Sequence, residues 1–162
     1  MSKKAYDNVI REGMVNQYLA SLSMMEEFID VCPENLWADT NYVNQFWHIC
    51  YHALFYIHLY LYNSLKEFEP WEKHERGAEK LDKDRLVMSK KHVAEFLCFC
   101  RELSVERINN IDLLADSTFP WFKYETITRL AYSLRHFQHH IGQISDRLRN
   151  NASVDIAWKP VM

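Results

Sequence analysis

Two pairs of histidines with the same spacing are the residues of this chain best suited to chemistry. His136 and His140 lie four residues apart near the C-terminus, and His48 and His52 lie four residues apart in an aromatic segment of the first half. Residues with this spacing lie one above the other on one face of an α-helix, so each pair can present imidazole nitrogens to one point. Metal binding is the chemistry that this arrangement indicates.

The segment that carries the C-terminal pair has a clear helical phase. Its apolar residues are spaced alternately three and four apart: Ile127, Leu130, Leu134, Phe137, Ile141, Ile144 and Leu148. On this helix His140 falls at the edge of the apolar stripe and His136 further round the same side, whereas His139 falls nearly opposite and is predicted to face water. The flank shared by His136 and His140 forms a polar strip, a candidate cleft wall, that also carries Arg129, Ser133, Gln143 and Arg147. The alternative is that these histidines only make hydrogen bonds or face solvent, because two histidines at this spacing are common.

A catalytic type of metal site needs a third protein ligand, and the aromatic segment offers His48 and His52. Both lie in an apolar helix, where an imidazole needs a partner. A metal satisfies one of them, and a backbone carbonyl or a tyrosine hydroxyl satisfies the other equally well. The remaining histidines lack a companion at ligand spacing and are predicted to be ordinary surface or boundary residues: His58, His74 and His92.

Composition and periodicity predict an all-α fold. The chain of 162 residues is 48% hydrophobic and has only 3 Gly and 4 Pro, so it contains few turn-forming residues. Four helices are predicted near residues 5–31, 41–64, 89–115 and 124–150, packed as one antiparallel four-helix bundle that forms a single domain over 1–162. The helix near 41–64 is apolar on nearly every face and is therefore expected to be the most buried.

The predicted second and third helices are separated by a long connection. Residues 66–87 are rich in charge, contain Pro70 and Gly77, and have no sustained period. They are expected to form a loop with at most one helical turn, and loops of this length often cover sites. Periodicity does not decide whether the helices alternate simply up and down, because a loop of 22 residues could also cross the bundle. The shorter segment 33–40 is predicted to be a linker, because Pro33 forbids continuation of the first helix.

Charge and cysteine usage exclude several classes of function. A net charge of -3 lacks the basic surface that nucleic-acid binding requires. The four cysteines form no C-x-x-C pair, as expected for thiols in a reducing compartment, so a cytoplasmic location is predicted. No stretch approaches 18 uninterrupted apolar residues, and membrane insertion is therefore not expected. An aromatic-rich surface that seals a substrate cleft or a dimer interface is one interpretation of four tryptophans, and core packing is the other: Trp37, Trp71, Trp121 and Trp158.

Two segments together resemble the DinB-like superfamily of metal-binding four-helix bundles. They are residues 46–56, Phe-Trp-His-Ile-Cys-Tyr-His-Ala-Leu-Phe-Tyr, and residues 134–144, Leu-Arg-His-Phe-Gln-His-His-Ile-Gly-Gln-Ile. The specific part is the combination of one histidine in the first segment with H-x-x-x-H-x-G-Q in the second. The resemblance covers the whole predicted bundle and implies a three-histidine site for a divalent metal at His52, His136 and His140, with His48 left as a neighbour or an alternative ligand.

The same resemblance implies a function. Related branches of the superfamily are S-transferases that use low-molecular-weight thiols such as bacillithiol or mycothiol, so a metal-dependent thiol S-transferase with a small-molecule substrate is the first hypothesis. Zinc is the default metal, with nickel and iron as alternatives. The second hypothesis is a non-catalytic metal-binding or stress-associated bundle that acts through a partner or as a homodimer, and the third is a bundle whose histidines are only structural.

Two residues beside the histidines of the C-terminal pair carry further expectations. Gly142 is expected to let another element approach closely, because glycine within a helix is otherwise unfavourable. Gln143 either makes a hydrogen bond near the site or is a solvated polar residue. No acidic residue adjoins the pair, so the arrangement of a zinc peptidase, H-E-x-x-H, is absent.

Overall fold

The chain folds into α-helices joined by irregular connections. A computed structural model describes residues 3–81 and 85–160. Its helices are α1 (Lys3–Val31), α2 (Glu34–Trp37), α3 (Phe46–Tyr60), α4 (Lys90–Asn110) and α5 (Thr126–Ala152). Within these ranges the only β-type pairs are two isolated bridges between residues 116 and 125. The all-α prediction is therefore confirmed, and no helix in the described part of the chain is long and apolar enough to cross a membrane.

Helix α1 ends where the sequence predicts, but the segment that follows is not a simple linker. The helix stops at Val31, two residues before Pro33, and residues 34–37 then form the four-residue helix α2. This short helix buries Leu36 and Trp37, and the Trp37 indole donates to the Met88 carbonyl at 2.8 Å. This hydrogen bond ties α2 to the segment before α4.

Helix α3 is shorter at both ends than the predicted range 41–64. At its C-terminal end the Tyr60 carbonyl accepts a hydrogen bond from Arg129 Nε at 3.0 Å. The Asn63 carbonyl accepts from the Thr118 backbone N–H at 3.0 Å. These partners on other segments replace the bonds that a further helical turn would supply, so the helix ends here.

Helix α4 begins as predicted and ends earlier. The Ser89 side chain accepts the His92 backbone N–H, which makes Ser89 the expected N-cap. The helix stops at Asn110, about one turn before the predicted end. The reason lies in the next segment, where the carbonyls of residues 113 and 115 accept the backbone N–H groups of Ile127 and Thr126. These residues cap the start of α5 and cannot also continue α4.

The four long helices pack in a closed cycle, in which α1 and α3 each contact both α4 and α5. Helices α1 and α4 are antiparallel, because Arg11 near the start of α1 bonds to Ile108 near the end of α4. Further along α1, Glu26 pairs with Arg101 at 2.6 Å. The buried apolar side chains of the four long helices pack together in one continuous hydrophobic cluster.

Helices α3 and α4, in contrast, run in the same direction. The ring of Tyr51 packs on that of Phe96 at 5.0 Å. Two turns further along α3, the ring of His58 packs on that of Phe99, which lies one turn further along α4, at 5.0 Å. The prediction of a wholly antiparallel arrangement is therefore wrong for this pair. Parallel neighbours require a connection that returns along the length of the helix, and residues 61–89 provide it.

This connection forms no helix in its described parts, residues 61–81 and 85–89, as the sequence predicts. It contains single turns, such as the one in which the Ala78 backbone N–H donates to the Glu75 carbonyl. Its Trp71 ring stacks on Phe96 at 4.8 Å. The connection is thus packed onto α3 and α4.

The four tryptophans that suggested an aromatic surface divide evenly. Trp37 and Trp71 are buried, at 3% and 7% exposure, and belong to the core. Trp121 and Trp158 are exposed, at 55% and 68%. Core packing is therefore correct for the first two, and only the other two contribute to the surface.

Candidate metal centre

Helices α3 and α5 bring three of the predicted histidines together. His52 lies on α3, and His136 and His140 lie one turn apart on α5. One ring nitrogen from each of the three lies within 4.8 Å of the others, and the Nε2 atoms of His136 and His140 are 3.2 Å apart. Three imidazoles that converge on one point in this way form a donor set suited to a divalent transition metal.

Hydrogen bonds to the outer nitrogens fix the orientation of two rings. The Nδ1 of His52 donates to the Glu79 backbone carbonyl at 2.5 Å, and the Nδ1 of His140 donates to Gln143 Oε1 at 2.8 Å. Because both acceptors are oxygens that carry no proton, each Nδ1 must be protonated, and the lone pair of each neutral ring lies on Nε2. This is the second layer of contacts that metal-binding histidines usually have. His136 differs, because its buried Nδ1 has no hydrogen-bond partner among the described residues.

Burial keeps these rings neutral at pH 7. Burial lowers the pKa of His52 to about 4, with smaller contributions from repulsion by His140 and His48, against the opposing hydrogen bond to Glu79. Burial, followed by repulsion from His140 and His52, lowers the pKa of His136 to about 4, and burial also lowers the pKa of His140. A neutral imidazole is the form that binds a metal, so the three residues present fit a divalent ion.

His48 lies outside the group of three. Its Nε2 bonds to the Ala78 backbone carbonyl at 3.1 Å, and its ring stacks on Trp47 at 4.7 Å. Of the two histidines on α3, His52 lies with the pair on α5 and His48 does not. The partner of His48 is a backbone carbonyl, one of the two kinds of partner expected for a histidine of this segment that binds no metal.

The neighbours of the pair on α5 confirm one expectation, decide a second and contradict a third. His139 is exposed, as the helical phase predicts. Gln143 accepts a hydrogen bond from His140 and so contributes to the site. Gly142 does not allow a close approach, because a Cβ built on it meets no atom within 4 Å. That prediction is wrong, and Gly142 faces open space on the outer side of α5.

Two residues assigned to the polar strip of α5 are instead internal. Arg129 and Ser133 are 0% and 1% exposed. The Arg129 guanidinium reaches the end of α3, where it donates to the Tyr60 carbonyl at 3.0 Å and to Asn63 Oδ1 at 2.8 Å. The strip therefore lines a cleft only around its C-terminal part, and the first part holds α5 against α3.

The prediction that His58 is a surface or boundary residue is also wrong. Its exposure is 0%, and its ring is surrounded by the aromatic rings of Tyr62, Phe68, Phe96 and Phe99 at centroid distances of 4.8 to 5.9 Å. The reason is the packing of α4 and of the connection on this face of α3. His74 and His92 are partly buried, as expected for boundary residues.

A cavity opens on each side of the three histidines. A polar one of about 550 Å³ adjoins His140 and is lined in part by Gln143, Arg147 and Asn44. An aromatic one of about 430 Å³ adjoins the other two histidines, and its lining is His52, Tyr56, Tyr60, Trp121, Tyr132 and His136. Both volumes are in the range of small-molecule sites.

Sequence reasoning did not find several groups that shape the site. The carbonyls of Ala78 and Glu79 have no side-chain signature, so nothing in the sequence marks them. Tyr56 and Tyr132 did have a signal, because Tyr56 follows His52 by four residues and Tyr132 precedes His136 by four. The spacing that identified the histidines therefore also places these tyrosines on the same faces.

Comparison of the chain with protein-family models, with curated proteins and with solved structures gives no match.

Proposed function

We propose that this protein binds one divalent metal ion through His52, His136 and His140. The observation that carries the proposal is the convergence of three ring nitrogens within 4.8 Å of one another. Two of the rings are held by oxygen acceptors on their outer nitrogens, so their inner nitrogens are already directed to a common point. Little rearrangement is then needed to reach metal distances of roughly 2.0 to 2.2 Å. Zinc is the default ion, and nickel and iron also suit three imidazoles.

We further propose that the chain is a four-helix bundle of the DinB-like type. The closed cycle of contacts among α1, α4, α3 and α5 supports this. So does the assembly of one histidine from α3 with the H-x-x-x-H-x-G-Q segment of α5, in which Gln143 accepts a hydrogen bond from His140. The resemblance in the sequence rested on the histidine of residues 46–56 together with the H-x-x-x-H-x-G-Q segment.

The proposed activity is that of a thiol S-transferase. A divalent ion with three neutral ligands keeps its full positive charge and would lower the pKa of a thiol bound to it, which supplies a thiolate at neutral pH. The group of three contains no carboxylate, and the Glu79 carboxylate is directed to His74 at 3.5 Å instead. A carboxylate general base of the kind used in metal hydrolases is therefore not part of the group, which favours a nucleophile that needs none.

The polar cavity beside His140 is the proposed place for the thiol. The Arg147 guanidinium lies over the Tyr42 ring at 3.9 Å and donates to the Asn44 carbonyl at 2.8 Å. A guanidinium held in this way can pair with the carboxylate of a small thiol through its remaining N–H groups. In this arrangement the residues bind the polar part of the thiol and leave its sulfur toward the histidines.

Metal content is the first test. We expect untagged protein purified without added metal to retain close to one divalent ion per chain by elemental analysis. His140→Ala removes a proposed ligand and should lose it, whereas the matched control His139→Ala removes an exposed imidazole one residue away and should retain it. Equal metal content in the two variants would refute the proposed site.

The thiol is tested separately on cobalt-substituted protein. Binding of a thiolate to cobalt gives a charge-transfer absorption in the near ultraviolet, so titration with cysteine or another small thiol reports binding directly. We expect the band in the wild type and a weaker affinity in Arg147→Gln. Turnover of an electrophile such as 1-chloro-2,4-dinitrobenzene in the presence of the thiol tests transfer. Bound metal without a thiol band or turnover would favour the non-catalytic metal-binding alternative.

A further inference from the structure

Aromatic side chains extend the histidine faces of α3 and α5 by one or two turns. On α3, Tyr56 and Tyr60 follow His52 at intervals of four residues, and on α5, Tyr132 precedes His136 by four. The rings are in contact across the two helices: Tyr56 packs on His136 at 5.1 Å, and Tyr60 packs edge-on against Tyr132 at 5.5 Å. The two helices thus form two aromatic walls with histidines at one end.

A third wall comes from the segment between α4 and α5. Antiparallel bridges join Asp116 to Glu125 and Phe119 to Phe122, so this segment is a small hairpin-like turn. Trp121 lies at its tip, and its indole N–H donates to the Tyr60 hydroxyl at 3.2 Å. The turn therefore holds an indole ring over the aromatic walls, although no helix carries it.

The described residues that line this cavity have no negative charge that could pair with a cation. None of the six described residues that line it is acidic. The guanidinium of Arg135 lies over the ring of Tyr132, 5.4 Å from its centroid, so a positive charge is already present beside the cavity. An uncharged ring needs no counter-charge, and it meets aromatic faces and edges on the walls of the cavity.

We propose that this cavity binds the planar, uncharged aromatic ring of a small-molecule substrate, with the polar group of that molecule directed to His52 and His136. A volume of about 430 Å³ has room for one or two fused rings, since a cavity of about 150 Å³ is enough for benzene. Binding of the ring depends only on the aromatic walls. Anchoring of the polar group rests on the proposed metal function.

Ring binding is tested on metal-free protein with 1-naphthol, which has two fused rings and no chelating group. Calorimetric titration in the presence of a chelator should show binding to the wild type. Trp121→Ala and Tyr132→Ala should each weaken it about tenfold, because each removes one aromatic contact face. Trp158→Ala removes an exposed indole outside the cavity and serves as the matched control.

Trp121 is more than half exposed, so its substitution is not expected to disturb folding, and a thermal unfolding curve checks this for both variants. If the wild type fails to bind 1-naphthol, or if both cavity variants bind it as tightly as Trp158→Ala, the proposal is overturned. Neither result depends on whether a metal binds.

Anchoring is tested on zinc-loaded protein with three hydroxamates, whose oxygens chelate zinc. We expect benzohydroxamate to bind at least tenfold more tightly than acetohydroxamate, and also more tightly than cyclohexanecarbohydroxamate, because the cavity offers aromatic faces rather than only apolar volume. The preference should be lost in Tyr132→Ala while zinc content is unchanged. Equal affinity for the aromatic and the saturated ring would overturn the assignment to an aromatic substrate. Failure to bind zinc would instead refute the proposed metal function and leave the naphthol result to decide the ring site.

Discussion

His58 makes a specific prediction about stability in acid. The imidazole is 0% exposed, and neither ring nitrogen makes a hydrogen bond of standard geometry. Burial lowers its pKa to about 4, with a smaller contribution from His74 and a small opposing one from the Glu69 backbone. The folded protein therefore holds this ring in its neutral form at pH values where an exposed histidine takes up a proton.

The sign and size of the effect follow from proton linkage. The folded pKa lies below the unfolded value of 6.5, so as the pH falls below 6.5 the unfolded chain gains a proton that the folded chain does not. The contribution of His58 to stability is therefore complete above pH 6.5. It decreases as the pH falls below that value and stops decreasing once the pH is below the folded pKa of about 4. Between pH 7.5 and 5.0 this one group should lower the free energy of unfolding by about 2 kcal/mol.

The assay is urea unfolding of metal-free protein at pH 7.5 and 5.0, in the presence of a chelator. Wild type and His58→Phe are compared, because phenylalanine keeps an aromatic ring in this position and cannot be protonated. We expect the loss of stability between the two pH values to be smaller in the variant by about 2 kcal/mol. His139→Phe replaces an exposed imidazole and is expected to keep the loss seen in the wild type. If His58→Phe and wild type lose the same stability, His58 is not held neutral by burial, and the reasoning is wrong.

Three further substitutions test the structure. Gly142→Ala should raise the free energy of unfolding by about 0.5 to 1 kcal/mol, because the position is helical and a Cβ meets no atom within 4 Å. Gly77→Ala should lower it by roughly 1 kcal/mol or more, because this residue has φ of 86° and a Cβ would lie 3.1 Å from the Arg85 guanidinium. Arg129→Met should lower the free energy of unfolding by roughly 1 to 3 kcal/mol for each buried acceptor that it leaves unpaired, namely the Tyr60 carbonyl and Asn63 Oδ1. Urea unfolding at pH 7.5 measures all three, and a reversed order of the two glycine variants would contradict the described backbone.

The helical phase of α5 could be predicted because its two sides differ strongly in polarity. Apolar residues at intervals of three and four fix which direction is inward, and the positions of His136, His139 and His140 follow from that direction alone. The burial of Arg129 on the same helix did not follow. Its acceptors lie at the end of α3, and the sequence gives no sign of a contact between residues so far apart in the chain.

Helix α3 shows the opposite situation. It is apolar on nearly every side, so periodicity assigns no inward face. His48 and His52 are therefore equal candidates on the residues alone, and the prediction of a surface or boundary position for His58 is wrong. Only the packing of α4, α5 and the connection distinguishes them: His52 faces α5, His58 faces α4, and His48 faces the Ala78 carbonyl.

The direction of the helices explains why the connection contributes to the site. Helices α3 and α4 are parallel, so the chain between them must return along α3 before α4 can begin. In doing so it brings the carbonyls of Ala78 and Glu79 to His48 and His52. A buried imidazole nitrogen that lacks such a partner costs roughly 1 to 3 kcal/mol. The returning connection removes that cost, and its bond to Nδ1 of His52 leaves Nε2 of that residue free to face His136 and His140.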